Sequence, residues 1–114
     1  MKILQVDFPM EAPFGEEMSE AFKGLAEDIA SEDGLIWKIW TENAEMKEAG
    51  GIYLFADEAN AQRYLAKHTA RLESFGIQNI RGKIFDVNVP LSQIDKAPIA
   101  YKEVICKRTK SNIK

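Results

Sequence analysis

The chain reads as an α+β protein: a four-stranded antiparallel sheet with two helices on one face, in the order strand, helix, strand, strand, helix, strand. Three observations in its 114 residues predict this. Apolar residues alternate in short extended segments, two intervening segments carry apolar stripes at helical spacing, and the two middle strands are apolar on both faces. That order is the split βαβ pattern of ferredoxin-like domains.

The first strand is residues 2 to 8, where Leu4, Val6 and Phe8 alternate with Ile3, Gln5 and Asp7. Ala12, Pro13, Phe14 and Gly15 break it, and Glu16 and Glu17 then suit the positive end of a helix. Met18, Phe22, Leu25 and Ile29 follow on one stripe, so a single helix is expected from about 15 to 31. After Gly34, LIWKIWTE is a strand with Leu35, Trp37 and Ile39 on one side and Ile36 and Trp40 on the other. The polar interval NAEMKEAGG leads to a third strand at Ile52 to Phe55, antiparallel to the second.

Asp57 is placed to cap the second helix, whose inward stripe is Ala61, Leu65, His68 and Leu72, with Tyr64 and Phe75 flanking and Gly76 at its end. Gln78 to about Val89 is the fourth strand, which Pro90 stops. Beyond it only Tyr101 to Cys106 has extended character. Helices on one face leave the other face of the sheet bare, and strands two and three are apolar there too. The simplest cover is the same face of a second copy, in a twofold homodimer.

A hydrophobic share of 46% with 29% charged residues excludes a disordered chain and fits one globular domain, placed at 1–96, followed by a basic arm at 97–114. Residues 1 to 58 hold 14 acids and 4 bases, and residues 59 to 114 hold 4 acids and 11 bases. Five of those bases fall in the last thirteen residues, yet a pI near 5.2 leaves no basic domain face for nucleic acid. Cys106 is alone, so no disulfide framework forms within the chain. No signal peptide or stretch of ~18 apolar residues is seen, which sets the expectation of a cytoplasmic protein without a membrane partner.

One histidine and one cysteine leave no zinc or iron site built from several such ligands within one chain, so no metal is expected. Gly50 and Gly51 lack the spacing of a nucleotide loop, and no G-x-S-x-G elbow or cysteine–histidine pair supports a hydrolase. His68 is the most informative residue. Its imidazole on an inward stripe is either a hydrogen-bonded core residue or a base that accepts a proton near neutral pH. Arg71, one turn on, either steadies an oxyanion or pairs with an acid at the surface. Trp37 and Trp40 are three positions apart and so face opposite sides of a regular strand; one lines a pocket and the other the dimer seam. Tyr53 and Phe14 are further aromatic walls, with plain core packing as the alternative role for all four.

APFGEEM at 12 to 18, WKIWTE at 37 to 42, EAGGIYLF at 48 to 55, KHTARL at 67 to 72 and FDVNVPLSQI at 85 to 94 together resemble the YdhR family of monooxygenases. That family is a branch of the antibiotic-biosynthesis monooxygenase-like proteins. The resemblance spans about the first 95 residues. It implies a ferredoxin-like fold whose sheets pack face to face as a dimeric α/β barrel, with a pocket between each sheet and its helices. It also implies oxygenation of small aromatic or polycyclic substrates by O2 with no flavin, haem or metal cofactor. In that reading His68 is the base, Arg71 or the Trp and Tyr ring donors stabilise the oxyanion, and the pocket excludes water. The rival expectations are a binding protein for aromatic metabolites without catalysis, and haem degradation.

Overall fold

Leu4, Val6 and Phe8 are buried on one side of β1 (Lys2–Pro9), which places this strand at the centre of the molecule. The computed structural model describes residues 1–99. Cys106, the extended piece expected at 101–106 and most of the basic arm lie outside the described residues. The remaining elements are α1 (Gly15–Ala21), α2 (Lys23–Ala30), β2 (Leu35–Asn43), β3 (Glu48–Phe55), α3 (Glu58–Ser74), β4 (Arg81–Asp86) and α4 (Val89–Ile94). The sheet runs β2-β3-β1-β4 and is antiparallel throughout. It is open, and the α+β split βαβ architecture expected from the patterning is present.

The core fills one face of that sheet. Leu4, Val6, Phe8, Tyr53 and Phe55 meet Met18 of α1, Ile29 of α2, and Ala61, Tyr64 and Leu72 of α3. Fully burying side chains of this size contributes roughly 1.5–3 kcal/mol each, which makes this layer the main source of stability. Gly82 lets α3 come close, because a Cβ there would stand 2.6 Å from Leu65 Cδ1.

Four local expectations need correction. The single helix from 15 to 31 is two helices, parted at Phe22, whose backbone (φ −106, ψ 13) leaves the helical region. Gly24 weakens the helix just beyond, and the Phe22 ring is drawn against Trp40, with centroids 6.1 Å apart. β3 begins at Glu48, four residues earlier than the apolar run, because Gly50 and Gly51 are strand residues. A Cβ on Gly50 would lie 2.0 Å from the Val6 carbonyl oxygen, so only glycine allows this pairing of β1 and β3. β4 is shorter than expected. The chain then forms α4, signalled by Asn88, whose side chain accepts from the Leu91 amide at 3.1 Å, and by Pro90 in the first turn.

The fourth correction is to the faces of β2. Leu35 pairs with Phe55 but Trp37 with Leu54, a bulge that consumes one extra residue. Beyond it Lys38 and Trp40 join Leu35 on the helix side, while Trp37 and Ile39 turn to the opposite face. On that far face Ile39 (52% exposed) and Phe85 (46%) stand near Ile3 and Ile52, and Arg81 pairs with Asp7 and Glu48. The chain covers part of this face itself: Trp37 Nε1 donates to the Pro98 carbonyl at 2.9 Å, and Leu54 and Ile99 are buried.

Two glycines predict opposite responses. Gly50→Ala will lower the urea midpoint sharply, since the new methyl meets fixed backbone. Gly24→Ala in α2, where nothing lies within 4 Å of an added Cβ, will raise stability by about 0.5 kcal/mol through lower unfolded-state entropy.

Candidate active site between the sheet and the third helix

Asp57 accepts from the Asn60 amide at 2.8 Å and starts α3 in the phase that turns Ala61, Tyr64, His68 and Leu72 toward the sheet. The His68 ring stacks on Tyr64, with centroids 5.0 Å apart, and meets Tyr53 edge-on at 6.3 Å. The Tyr64 hydroxyl donates to the Tyr53 hydroxyl at 3.2 Å. One turn after His68, Arg71 donates from Nε (3.3 Å) and Nη2 (3.0 Å) to His68 Nδ1, while its Nη1 binds Asp28 of α2 at 3.0 Å.

Arginine carries donors only, so His68 Nδ1 is an acceptor and the ring proton resides on Nε2. Burial, then the charges of Lys38 and Arg71, depress the His68 pKa to about 3, which keeps the imidazole neutral at physiological pH. The tyrosines shift the other way. Burial pushes Tyr64 up to about 12 and raises Tyr53 further, so both remain protonated.

Lys38 reaches this cluster from the edge strand. Its stem crosses the space above Gly51, where a Cβ would lie 2.6 Å from Lys38 Cε, and its Nζ rests 3.4 Å from the Trp40 ring centroid and 4.7 Å from that of Tyr53. Burial and the Arg71 charge lower its pKa to about 7, and among the described residues it has no carboxylate ion-pair partner. Two hollows open along β2, the first of them lined by Lys38 and both by Trp40. One of about 210 Å³ is lined by Ala26, Ile29, Leu35, Lys38 and Trp40. The other, about 330 Å³, lies between α1, α2 and β2, with Met18, Phe22, Trp40 and Glu42 on its walls.

Of the expected site residues, His68, Arg71 and Tyr53 come together, and Trp40 joins them through the Lys38 amine. Trp37 faces the other side of the sheet, with its edge on the smaller hollow. Phe14 packs on the core beside Gly15, whose amide donates to Glu42 Oε1 at 2.7 Å, and is not part of the His68 cluster. Lys38 and Asp28 were not singled out from the sequence, and Tyr64 only as a flank. The available signal for Lys38 was a lone charge inside a strand otherwise apolar on both faces. Among the described residues no three His, Cys, Asp or Glu side chains gather to hold a metal ion, and no helix is long and apolar enough to cross a membrane.

Both depressed bases predict the sign of the pH dependence. The unfolded chain binds more protons than the folded one between about pH 6.5 and 3 for His68 and between about pH 10.5 and 7 for Lys38. Each contribution is complete above the upper bound of its window and lost as pH falls to the lower one. Urea unfolding will show a lower midpoint at pH 4.5 than at pH 7, and His68→Phe will flatten that difference. As the chain's only histidine, His68 gives one imidazole NMR signal, expected to hold its neutral shift down to about pH 4.

A crystal structure from Deinococcus radiodurans, titled a putative antibiotic biosynthesis monooxygenase, superposes with a TM-score of 0.53 at 12% identity, covering 77% of this chain and 93% of that one. A variant of SnoaB from Streptomyces nogalater, titled a cofactor-independent oxygenase, does so with a TM-score of 0.53 at 15% identity, covering 76% and 93%. At such identities the likeness is one of fold. No curated protein sequence matches. Residues 3–98 match the family model "Putative mono-oxygenase ydhR", and the chain belongs to that family.

Proposed function

We propose that this protein is a monooxygenase that uses no cofactor and inserts an oxygen atom from O2 into small aromatic or polycyclic compounds. The observation that carries this is the neutral His68, stacked on Tyr64, edge-on to Tyr53 and held against the permanent charge of Arg71. Dioxygen in its triplet state reacts with closed-shell carbon only when that carbon becomes electron-rich. The protein's part is deprotonation, charge stabilisation and exclusion of water.

An acidic C–H or phenol at the site loses its proton to His68 while its oxygen draws the Arg71 guanidinium away from Nδ1. Negative charge developing beside the imidazole raises its proton affinity, and this is what turns a base of pKa about 3 into an acceptor. The carbanion passes an electron to O2, the radicals combine to a peroxide, and loss of water leaves a carbonyl. One oxygen atom ends in product and the other in water. Trp40 and Tyr53 supply the flat apolar wall, and Phe14 and Trp37 act from outside the cluster.

The exposed Ile39 and Phe85, with Ile3 and Ile52, form a face that suits pairing with the same face of a second copy, a homodimer with sheets back to back. The single cysteine of the chain suits a reducing compartment, and this supports reading the protein as cytoplasmic. The low proton affinity of His68 in the free protein favours one rival: a protein that binds aromatic metabolites without turning them over.

Oxygen consumption with an anthrone-like substrate tests the reading. The protein will consume O2, and His68→Ala will lower kcat by roughly 10²–10⁴ while the fold and dimer persist. Saturable binding without oxygen uptake selects the binding protein instead. Sedimentation equilibrium will give twice the 12.9 kDa protomer mass, and Ile39→Glu, which places two unpaired charges in the seam, will raise the dimer Kd on the order of 100-fold or more.

A further inference from the structure

Lys38 is used by no step above, and it is an unusual lysine. It projects from the edge strand onto the helix side, its Cε crosses the bare backbone of Gly51, and its Nζ rests on the faces of Trp40 and Tyr53. The cations nearby are Arg71 and, when protonated, His68 on α3. Arg71's own partner, Asp28 on α2, bonds the guanidinium at 3.0 Å, and Glu32 is engaged by Lys67. Tyr53 and Tyr64 face the same space as neutral phenols. Among the described residues no carboxylate compensates the ammonium. The two π faces favour its charged form, and burial and Arg71 oppose it.

We propose that Lys38 is a carbonyl-binding site, where the amine condenses reversibly with an aromatic aldehyde or ketone lodged in the adjoining hollow between α2 and β2. The hollow is about 210 Å³, with Ala26, Ile29 and Leu35 among its lining residues and polar and apolar surface in similar shares. A cavity of about 150 Å³ holds one benzene ring, so a single-ring compound fits this one. A desolvated lysine beside a second cation is the arrangement that provides a nucleophilic amine near neutral pH, because a useful fraction is unprotonated there.

The step balances without any further reagent. The Nζ lone pair attacks the carbonyl carbon as the C=O π pair moves to oxygen, and a proton passes from nitrogen to that oxygen to give a carbinolamine. Loss of water then leaves a C=N bond, and hydrolysis reverses it.

Benzaldehyde with sodium cyanoborohydride traps the imine as a secondary amine, and peptide mass spectrometry locates it. On the intact protein at pH 7, Lys38 is expected to be labelled at least about ten-fold faster than exposed lysines such as Lys47 and Lys67, with half-maximal rate well below pH 9. An aliphatic aldehyde of similar reactivity will label Lys38 several-fold more slowly, while surface lysines will not discriminate. Gly51→Ala will remove the selectivity by displacing the Lys38 stem, and far-UV circular dichroism will show whether the fold is kept. Should Gly51→Ala not fold, Trp40→Leu removes the ring platform and gives the same readout.

Labelling of Lys38 no faster than the surface lysines overturns the proposal, and equal labelling by both aldehydes overturns the aromatic class. No oxygen is consumed in this assay, so its outcome and that of the oxygenase test are read separately.

Discussion

Removal of water from a cluster of basic side chains is the constraint on which the chemistry of this molecule depends. His68, Arg71 and Lys38 converge between α3 and the sheet, with Asp28 the one acid bonded to them among the described residues. In water at neutral pH such a group would carry somewhat over two positive charges, with the imidazole about one quarter protonated. Here the helix-to-sheet contact leaves one permanent charge, on Arg71, and drives the other two toward their neutral forms. The Arg71 guanidinium could not give two N–H bonds to Nδ1 of a protonated imidazole, so tautomer, charge state and geometry are fixed together.

The same contact depends on small residues in the sheet. Gly51 leaves room for the Lys38 stem, Gly82 for Leu65 of α3, and Gly50 for the carbonyl of Val6. The first two exchange side-chain volume in the sheet for volume arriving from elsewhere, and the third is demanded by the backbone alone. A strand with two adjacent glycines would ordinarily be weak. Here it is held between β1 and β2 along its whole length, so the backbone bonds on both sides offset the entropy cost.

Much of the fold was legible because it follows from period. Leu4, Val6 and Phe8 declare the buried side of β1, and Asp57 and the Ala61–His68–Leu72 stripe declare α3 and its phase. The capping and the glycine roles are subtler. Asn88 with Pro90 is a sound helix start that a following segment without clear period concealed, and Gly50 and Gly51 look like loop until the close approach of Val6 is known. At the site, His68 and Arg71 follow from helical spacing alone. Lys38 does not, because its burial depends on which way β2 turns, and that depends on a bulge that no propensity reveals.

That bulge at Ile36 has a further consequence. It acts as a frame shift within the strand: every residue after it is displayed to the side opposite the one strict alternation dictates. Straightening the strand with Ile36 kept in the ladder would leave helices, sheet order and core intact in outline, yet would present Trp37 and Ile39 inward and send the amine outward. A shift of a single residue in register, with no change in composition, is thus enough to convert a basic, reactive lining into an inert greasy one. In this chain the pairing register after Ile36 decides the chemistry inside, ahead of the identity of any one side chain along the strand.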